Sequence, residues 1–256
     1  MTGLALITLS PEGLATARRL RQTFPEAALH AHRALAAPDA QAFDRMADLT
    51  RALWSERGLV YFAPAGAVVR ALAPCAASKH TDPAVVLADA LGRWAVSLLS
   101  GHEGGANALA LAVANALGAE PVITTTTEAV KDLIIGVGCR RGAPPEAIEA
   151  AVGEALDRTG YPLSQVRLLA SADLKADEPG LLEAARRLPL PLRFIPAEAI
   201  RASVLAFSPS PAAARRLDLP GVAEPAAMLA GRRTRLLLPR TIIQGVTVAL
   251  AQEAHP

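Results

Sequence analysis

Residues 100–107, Ser100-Gly101-His102-Glu103-Gly104-Gly105-Ala106-Asn107, place an imidazole, a carboxylate and a carboxamide among closely spaced glycines. An apolar stretch, 94–99, leads in, and a helix-like stretch, 108–117, leads out. A strand that breaks at glycines and turns directly into a helix leaves backbone N–H groups without partners, and these attract an anion or a carbonyl oxygen. The chemistry on offer is substrate binding with acid–base catalysis, His102 or Glu103 moving the proton. A purely structural role is the alternative: His102 capping the helix and Asn107 satisfying its end. The run has neither the Gly-Lys-Ser/Thr of a phosphate loop nor the glycine spacing of a dinucleotide fingerprint.

Other groups of residues invite the same question. Residues 136–142, Gly-Val-Gly-Cys-Arg-Arg-Gly, read as a glycine-rich turn at a strand end with two arginines, an anion cradle or a tight turn with solvated side chains. Cys139 has no nearby histidine in sequence and reads as a small packed residue rather than a nucleophile. In 175–178, Lys-Ala-Asp-Glu, Asp177 is expected to cap the next helix, Glu178 to suit its positive end, and Lys175 to reach a ligand carboxylate. Lys79, His80 and Asp82 share a polar loop between apolar segments. Arg70 follows the turn Pro64-Ala65-Gly66, and Glu224 stands at a helix start.

The elements that must position these groups alternate. Apolar runs at 4–8, 59–63, 85–87, 95–98 and 122–124 read as strands of a first unit, with helices at 11–21 (Ser10 as N-cap), 40–56, 67–72 and 108–117. Residues 85–98 have the form of a hairpin. A second unit starts afresh at 133–137 and continues with strands at 166–170, 192–195, 235–238 and 246–250. Its helices fall at 144–158, 178–187, 196–201 and 222–229, and 208–211 read as a loop. Such alternation implies two α/β domains, residues 1–130 and 131–256, each three-layer-like with a mainly parallel sheet. Ligands of such sheets sit at the carboxyl ends of the strands, where the turns after residues 63, 99 and 137 are expected to lie.

Composition narrows the classes of function. A chain of 256 residues with 52% hydrophobic content supports two modest cores. A net charge of +2 and 4% aromatic residues argue against a general nucleic-acid binder. Two distant cysteines, no membrane-length apolar run and no basic leader-like start give the expectation of a reducing cytoplasm.

Taken together, these segments resemble the cobalt-precorrin-5A hydrolase (CbiG) family of cobalamin biosynthesis. The resemblance rests on 65–70 (AGAVVR), 79–86 (KHTDPAVV), 98–107 (LLSGHEGGAN), 136–142 (GVGCRRG), 173–181 (DLKADEPGL) and 221–227 (GVAEPAA), in family order across both halves. The variable middle segment common in the family is missing, because the threonines 124–127 run almost directly into Leu133. Position 103 admits other residues in the family, which favours His102 over Glu103 as the proton carrier.

The resemblance implies a cobalt tetrapyrrole substrate whose δ-lactone is opened by water, followed by loss of a two-carbon unit as acetaldehyde. For that chemistry His102 is expected to be the base, with Asp82 or Glu224 orienting it or assisting the later C–C cleavage. Substrate contacts are expected from Gly66, Arg70, Lys79, His80, Ser100, Gly101, Gly104, Gly105, Asn107, Gly138, Cys139, Arg140, Arg141 and Lys175. Gly104 and Gly105 would supply an oxyanion site. A cleft between the two units would take the ring. Cobalt arrives inside the substrate, so no cofactor or protein-bound metal is expected, nor a nucleic-acid or membrane partner; a homodimer is compatible with the resemblance. A non-catalytic carrier of cobalt-corrinoid intermediates is the alternative.

Overall fold

Short runs of Leu, Ile, Val and Ala bounded by Gly, Pro and Ser cannot hide both faces in an isolated strand, so they pair into sheets covered by helices on both sides. The computed structural model describes residues 3–254 and divides into two units, residues 1–125 and 126–256.

The first unit runs β1 (Leu4–Thr8), α1 (Pro11–Thr23), β2 (Ala28–His32), β3 (Gln41–Phe43), α2 (Met46–Ala52), β4 (Gly58–Phe62), α3 (Ala65–Leu72), β5 (Ala84–Ala88), β6 (Trp94–Leu99), α4 (Ala106–Leu117) and β7 (Glu120–Val122). The sheet order is β3-β2-β1-β4-β5-β6-β7. Every pairing is parallel except that of β5 with β6. Side chains alternate across it: Leu4, Leu6, Val60 and Phe62 pack with α1 and α4, while Ala5, Ile7, Leu59 and Tyr61 pack with α2 and α3. Each such large side chain taken fully out of water contributes about 1.5–3 kcal/mol.

The second unit runs α5 (Thr126–Ala129), β8 (Leu133–Gly138), α6 (Pro145–Thr159), β9 (Val166–Ala172), α7 (Pro179–Arg187), β10 (Leu192–Ile195), α8 (Ala197–Ala202), α9 (Pro211–Leu217), α10 (Ala223–Leu229), β11 (Thr234–Ile243) and β12 (Val246–Glu253). Its sheet order is β10-β9-β8-β12-β11, with β8, β9 and β10 parallel and β12 antiparallel to both neighbours. Leu133, Ile135 and Val137 face α6 and α7, and Ile134 faces the α8, α9 and α10 side. The α/β class with mainly parallel sheets is therefore the observed one. No described helix is long and apolar enough to cross a membrane.

Several expected elements are corrected. The single helix over 40–56 is instead β3 followed by the short α2, and Gly58 opens β4 rather than closing a helix. Edge pairing with β2 wins over the helical periodicity of 40–45, because β2, absent from the sequence reading, offers it a hydrogen-bonding neighbour. Residues 211–217 form α9, where only a loop was expected. The strand at 235–238 extends to ten residues by pairing with β12 through a Gln244-Gly245 turn, both residues at positive φ (49° and 81°).

β2 also buries His30, whose Nε2 has no hydrogen-bond partner among the described residues. Burial pushes its pKa below the ordinary value, outweighing the opposing charge of Glu56. The fold therefore holds His30 neutral while the unfolded chain takes up a proton first. Stability is fully present above the unfolded value, about 6.5, and is lost as pH falls from there toward the depressed folded value. Thermal unfolding of the wild type is expected to drop between pH 7.5 and 5.5 (roughly one unit either side of that value) more steeply than that of His30→Gln. Parallel pH dependences in the two proteins would refute this assignment.

Candidate functional site

The loop between β6 and α4 is shaped by steric necessity. Ser100 is buried and adopts φ of 59°, and Gly105 adopts 86°. A side chain at Gly101 would meet Thr125 at 2.7 Å and Asn107 at 2.9 Å, and one at Gly104 would overlap Ser100. The loop closes through Ala106 N–H to the Ser100 carbonyl (3.1 Å) and Asn107 N–H to the Gly101 carbonyl (2.9 Å). The amides of His102, Gly104 and Gly105 have no acceptor among the described residues, so they remain available to an incoming oxygen. His102 is exposed beside them.

The loop carrying Lys79, His80 and Asp82 lies against this one. Lys79 Nζ pairs with Glu103 Oε1, and the Asp82 carbonyl would sit 3.3 Å from a side chain at Gly104. Donation from Lys79, then the Glu103 backbone amide, holds the Glu103 carboxyl below its usual range. Glu103 is thus a committed carboxylate.

Two expected roles change here. Asp82 Oδ2 accepts from the amides of Ala77 (2.9 Å) and Ser78 (3.0 Å), so it builds its own loop rather than orienting His102, which has no side-chain partner among the described residues. Asn107 turns its carboxamide inward, donating to Thr125 Oγ1 (2.9 Å) and accepting from Ser97 Oγ (2.8 Å). It braces the loop.

Strand direction separates another expected pair. β6 runs antiparallel to β5, with Leu99 opposite Val85, so the His102 loop lies at the amino ends of β4 and β5. Gly66 and Arg70 follow the carboxyl end of β4, at the opposite edge, where Arg70 Nη1 donates to the Gly66 carbonyl (3.0 Å). The turns after residues 63 and 99 therefore do not share a sheet edge, contrary to expectation.

In the second unit the turn after β8 does sit at carboxyl ends. A cavity of about 420 Å³ opens there, and Gly138, Cys139, Arg140, Arg141, Lys175 and Glu224 all line it. The same cavity is lined by Ser208, Arg216 and Arg240, which sequence reasoning missed. Lys175 is buried, 3.8 Å from the buried Glu178. Glu178 accepts from the Gly142 amide (2.7 Å) and so fastens the arginine turn, while the exposed Asp177 pairs with Arg141 at 3.2 Å instead of capping α7. Burial pushes the Cys139 thiol up, against the opposing pull of Lys175, which keeps it a protonated thiol rather than a nucleophilic thiolate.

Glu224 is buried with both oxygens engaged: Oε2 accepts from the Ser208 amide (2.6 Å) and Oε1 from the Arg240 amide (2.5 Å). Burial opposes its ionisation, but the amides of Arg240 and Ser208 outweigh that and hold its pKa below the usual carboxylate range. It is a positioning residue that joins two cavity walls, not a proton carrier. Glu224→Gln puts an amide N–H against one of these donors. Equilibrium unfolding is expected to show a loss of about 2 kcal/mol; an unchanged midpoint would contradict the role.

Among the described residues no group of three His, Cys, Asp or Glu side chains is placed to hold a metal ion.

Two family models match the chain: "Cobalamin synthesis G N-terminal" over residues 48–128 and "Cobalamin synthesis G C-terminus" over 133–251. A cobalt-precorrin-5A hydrolase of Salmonella typhimurium (strain LT2) is 42% identical over 127 residues, covering 49% of this chain and 36% of that protein. One from Priestia megaterium is 26% identical over 295 aligned positions, 77% of this chain and 79% of that protein. The chain thus spans about a third of the first relative's length and most of the second's. The crystal structure of CobE, a protein from the cobalamin (vitamin B12) biosynthetic pathway, is 35% identical, with a TM-score of 0.44 over 48% of this chain and 90% of that one. Matched in both halves and in the same order, the chain belongs to the CbiG family of cobalamin-synthesis proteins.

Proposed function

We propose that this protein is a cobalt-precorrin-5A hydrolase. The observation that carries the reading is the exposed His102 beside the amides of Gly104 and Gly105, unpartnered among the described residues, in a loop where Gly101 and Gly104 have no room for side chains. Ester hydrolysis needs both features: a base for water and donors for the oxygen that becomes negative. The names of the two relatives support the same activity.

His102 takes a proton from water as its oxygen bonds to the lactone carbonyl carbon. The carbonyl oxygen becomes an oxyanion held by the Gly104 and Gly105 amides. The ring C–O bond then breaks, giving a carboxylic acid, which ionises, and an alkoxide that recovers the proton from His102. The resulting alcohol gives its hydroxyl proton to His102, neutral again, as the adjacent C–C bond breaks. The bonding pair passes to the macrocycle, and the two-carbon unit departs as acetaldehyde. Lys79, paired with Glu103 beside this loop, is placed to meet a peripheral carboxylate of the ring.

Anaerobic incubation of the cobalt substrate with a small molar fraction of protein is expected to release acetaldehyde over many turnovers. Release that stops at one equivalent per protein would favour a carrier and overturn the reading.

A further inference from the structure

The second unit's cavity has a charge pattern that lactone chemistry does not use. Its walls contain Arg140, Arg141, Lys175, Arg216 and Arg240 against a single carboxylate, Glu224. Both Glu224 oxygens are occupied by backbone amides. Arg141 is paired with Asp177, and Lys175 lies near Glu178. The side chains of Arg140, Arg216 and Arg240 form no ion pair or hydrogen bond among the described residues. The Arg240 Nε is buried with no hydrogen-bond partner among the described residues, and only the charge of Glu224, already held by backbone amides, lies near its guanidinium. A buried guanidinium N–H left unmatched is costly, and its natural partner is an anion that enters from solvent.

The rest of the lining tells what kind of anion. Leu174, Leu217, Val222 and Ile242 contribute apolar wall, and Leu174 and Ile242 are largely exposed. Cations around apolar surface suit a ligand with a greasy body and several negative groups at its edge. They do not suit a small, fully hydrated ion. Guanidinium forks match planar carboxylates in two-point contacts.

We infer that the second unit's cavity is a recognition site for a flat apolar ligand fringed with carboxylates, in which Arg216 of α9 and Arg240 of β11 set affinity. The identity of that ligand as the tetrapyrrole rests on the function proposed above. Arg216 and Arg240 come from an element absent from the sequence reading and from the extension of a strand beyond its expected end. Glu224 unites them, because it is anchored to the Arg240 amide and to Ser208 in the segment leading to α9.

Uroporphyrin, a fluorescent octacarboxylate porphyrin without the lactone, is the probe. Titrated into the full chain, it is expected to bind the wild type. Arg216→Gln and Arg240→Gln are each expected to raise Kd about 5–10-fold and the double variant about 50-fold. Arg215→Gln on the same helix, outside the cavity, is the control and is expected to leave Kd unchanged. Circular dichroism checks folding, and Arg216→Lys with Arg240→Lys is expected to restore part of the affinity. No binding by the wild type overturns the inference, as does an unchanged Kd in the folded double variant. Competition by pyrophosphate as strong as that by the tricarboxylate tricarballylate reassigns the cavity to phosphates and also overturns it. Acetaldehyde release by the wild type is measured in parallel. Its absence refutes the proposed hydrolase, whatever the porphyrin titration gives.

Discussion

His102→Ala is expected to lower the rate of acetaldehyde release by about 10²–10⁴-fold, the usual worth of a positioned general base. The affinity for uroporphyrin should stay within about twofold, since the cations of the second unit supply it. The separation follows from the structure: His102 is exposed and has no side-chain partner among the described residues, so its removal leaves no buried group unsatisfied and no ion pair broken. The neighbouring carboxylate gives an internal comparison. Lys79 holds Glu103 ionised, and Glu103→Gln removes that pair without removing the proton carrier. Its effect on turnover is expected to be less than about 10-fold, since an exposed pair contributes little. Single-turnover acetaldehyde assays of both variants decide the matter. A His102→Ala protein at the wild-type rate sinks the assignment, and a Glu103→Gln protein as slow as His102→Ala transfers the role of base to the carboxylate.

Gly136→Ala is expected to cost about 3 kcal/mol, the upper end of overpacking in a core, and to lower Tm by roughly 6–12 °C. Gly136 lies in β8, where its Cα faces the backbone of α10 directly. A methyl group there would overlap the Ala223 carbonyl and stand 2.9 Å from the Ala227 nitrogen. Backbone cannot rotate aside as a side chain can, so the helix itself must move. That helix carries Glu224, and with it the Ser208 and Arg240 amides, so the cavity opens as the unit loosens. Gly153→Ala is the control: Gly153 is an exposed position within α6 with no neighbour within 4 Å of a new methyl group. Alanine there is expected to add about 0.5–1 kcal/mol by helix propensity. Differential scanning calorimetry measures both. Equal and small shifts would show that β8 and α10 do not meet as closely as the structure has them.

Elements whose information is local are legible without any tertiary contact. Ser10 before Pro11 gave the start of α1, and in the structure its side chain accepts from the Gly13 amide. Gly118 after an apolar helix marked its left-handed end, and the strands at 4–8 and 192–195 were legible from composition alone. The same Ser-Pro signature recurs at 210–211, where Ser210 accepts from Ala213 and starts α9. That cap starts the helix that carries Arg216. The Gln244-Gly245 turn between apolar runs was a hairpin signal of the same kind.

Other features had no local signature. Whether 41–43 becomes helix or strand depends on β2 being beside it. Whether the His102 loop faces the same edge as Gly66 depends on β6 running against β5, and strand direction is a property of a pair, not of a segment. Asp82 and Glu224 were visible as carboxylates, but only packing fixed what their oxygens accept. Backbone amides at Ala77, Ser78, Ser208 and Arg240 claim them, because a buried carboxylate is stable only where donors converge. Local sequence set which chemical groups this protein owns. Packing between elements fixes which are spent on holding the fold and which remain available to a ligand, as His102, Arg140 and Arg216 do.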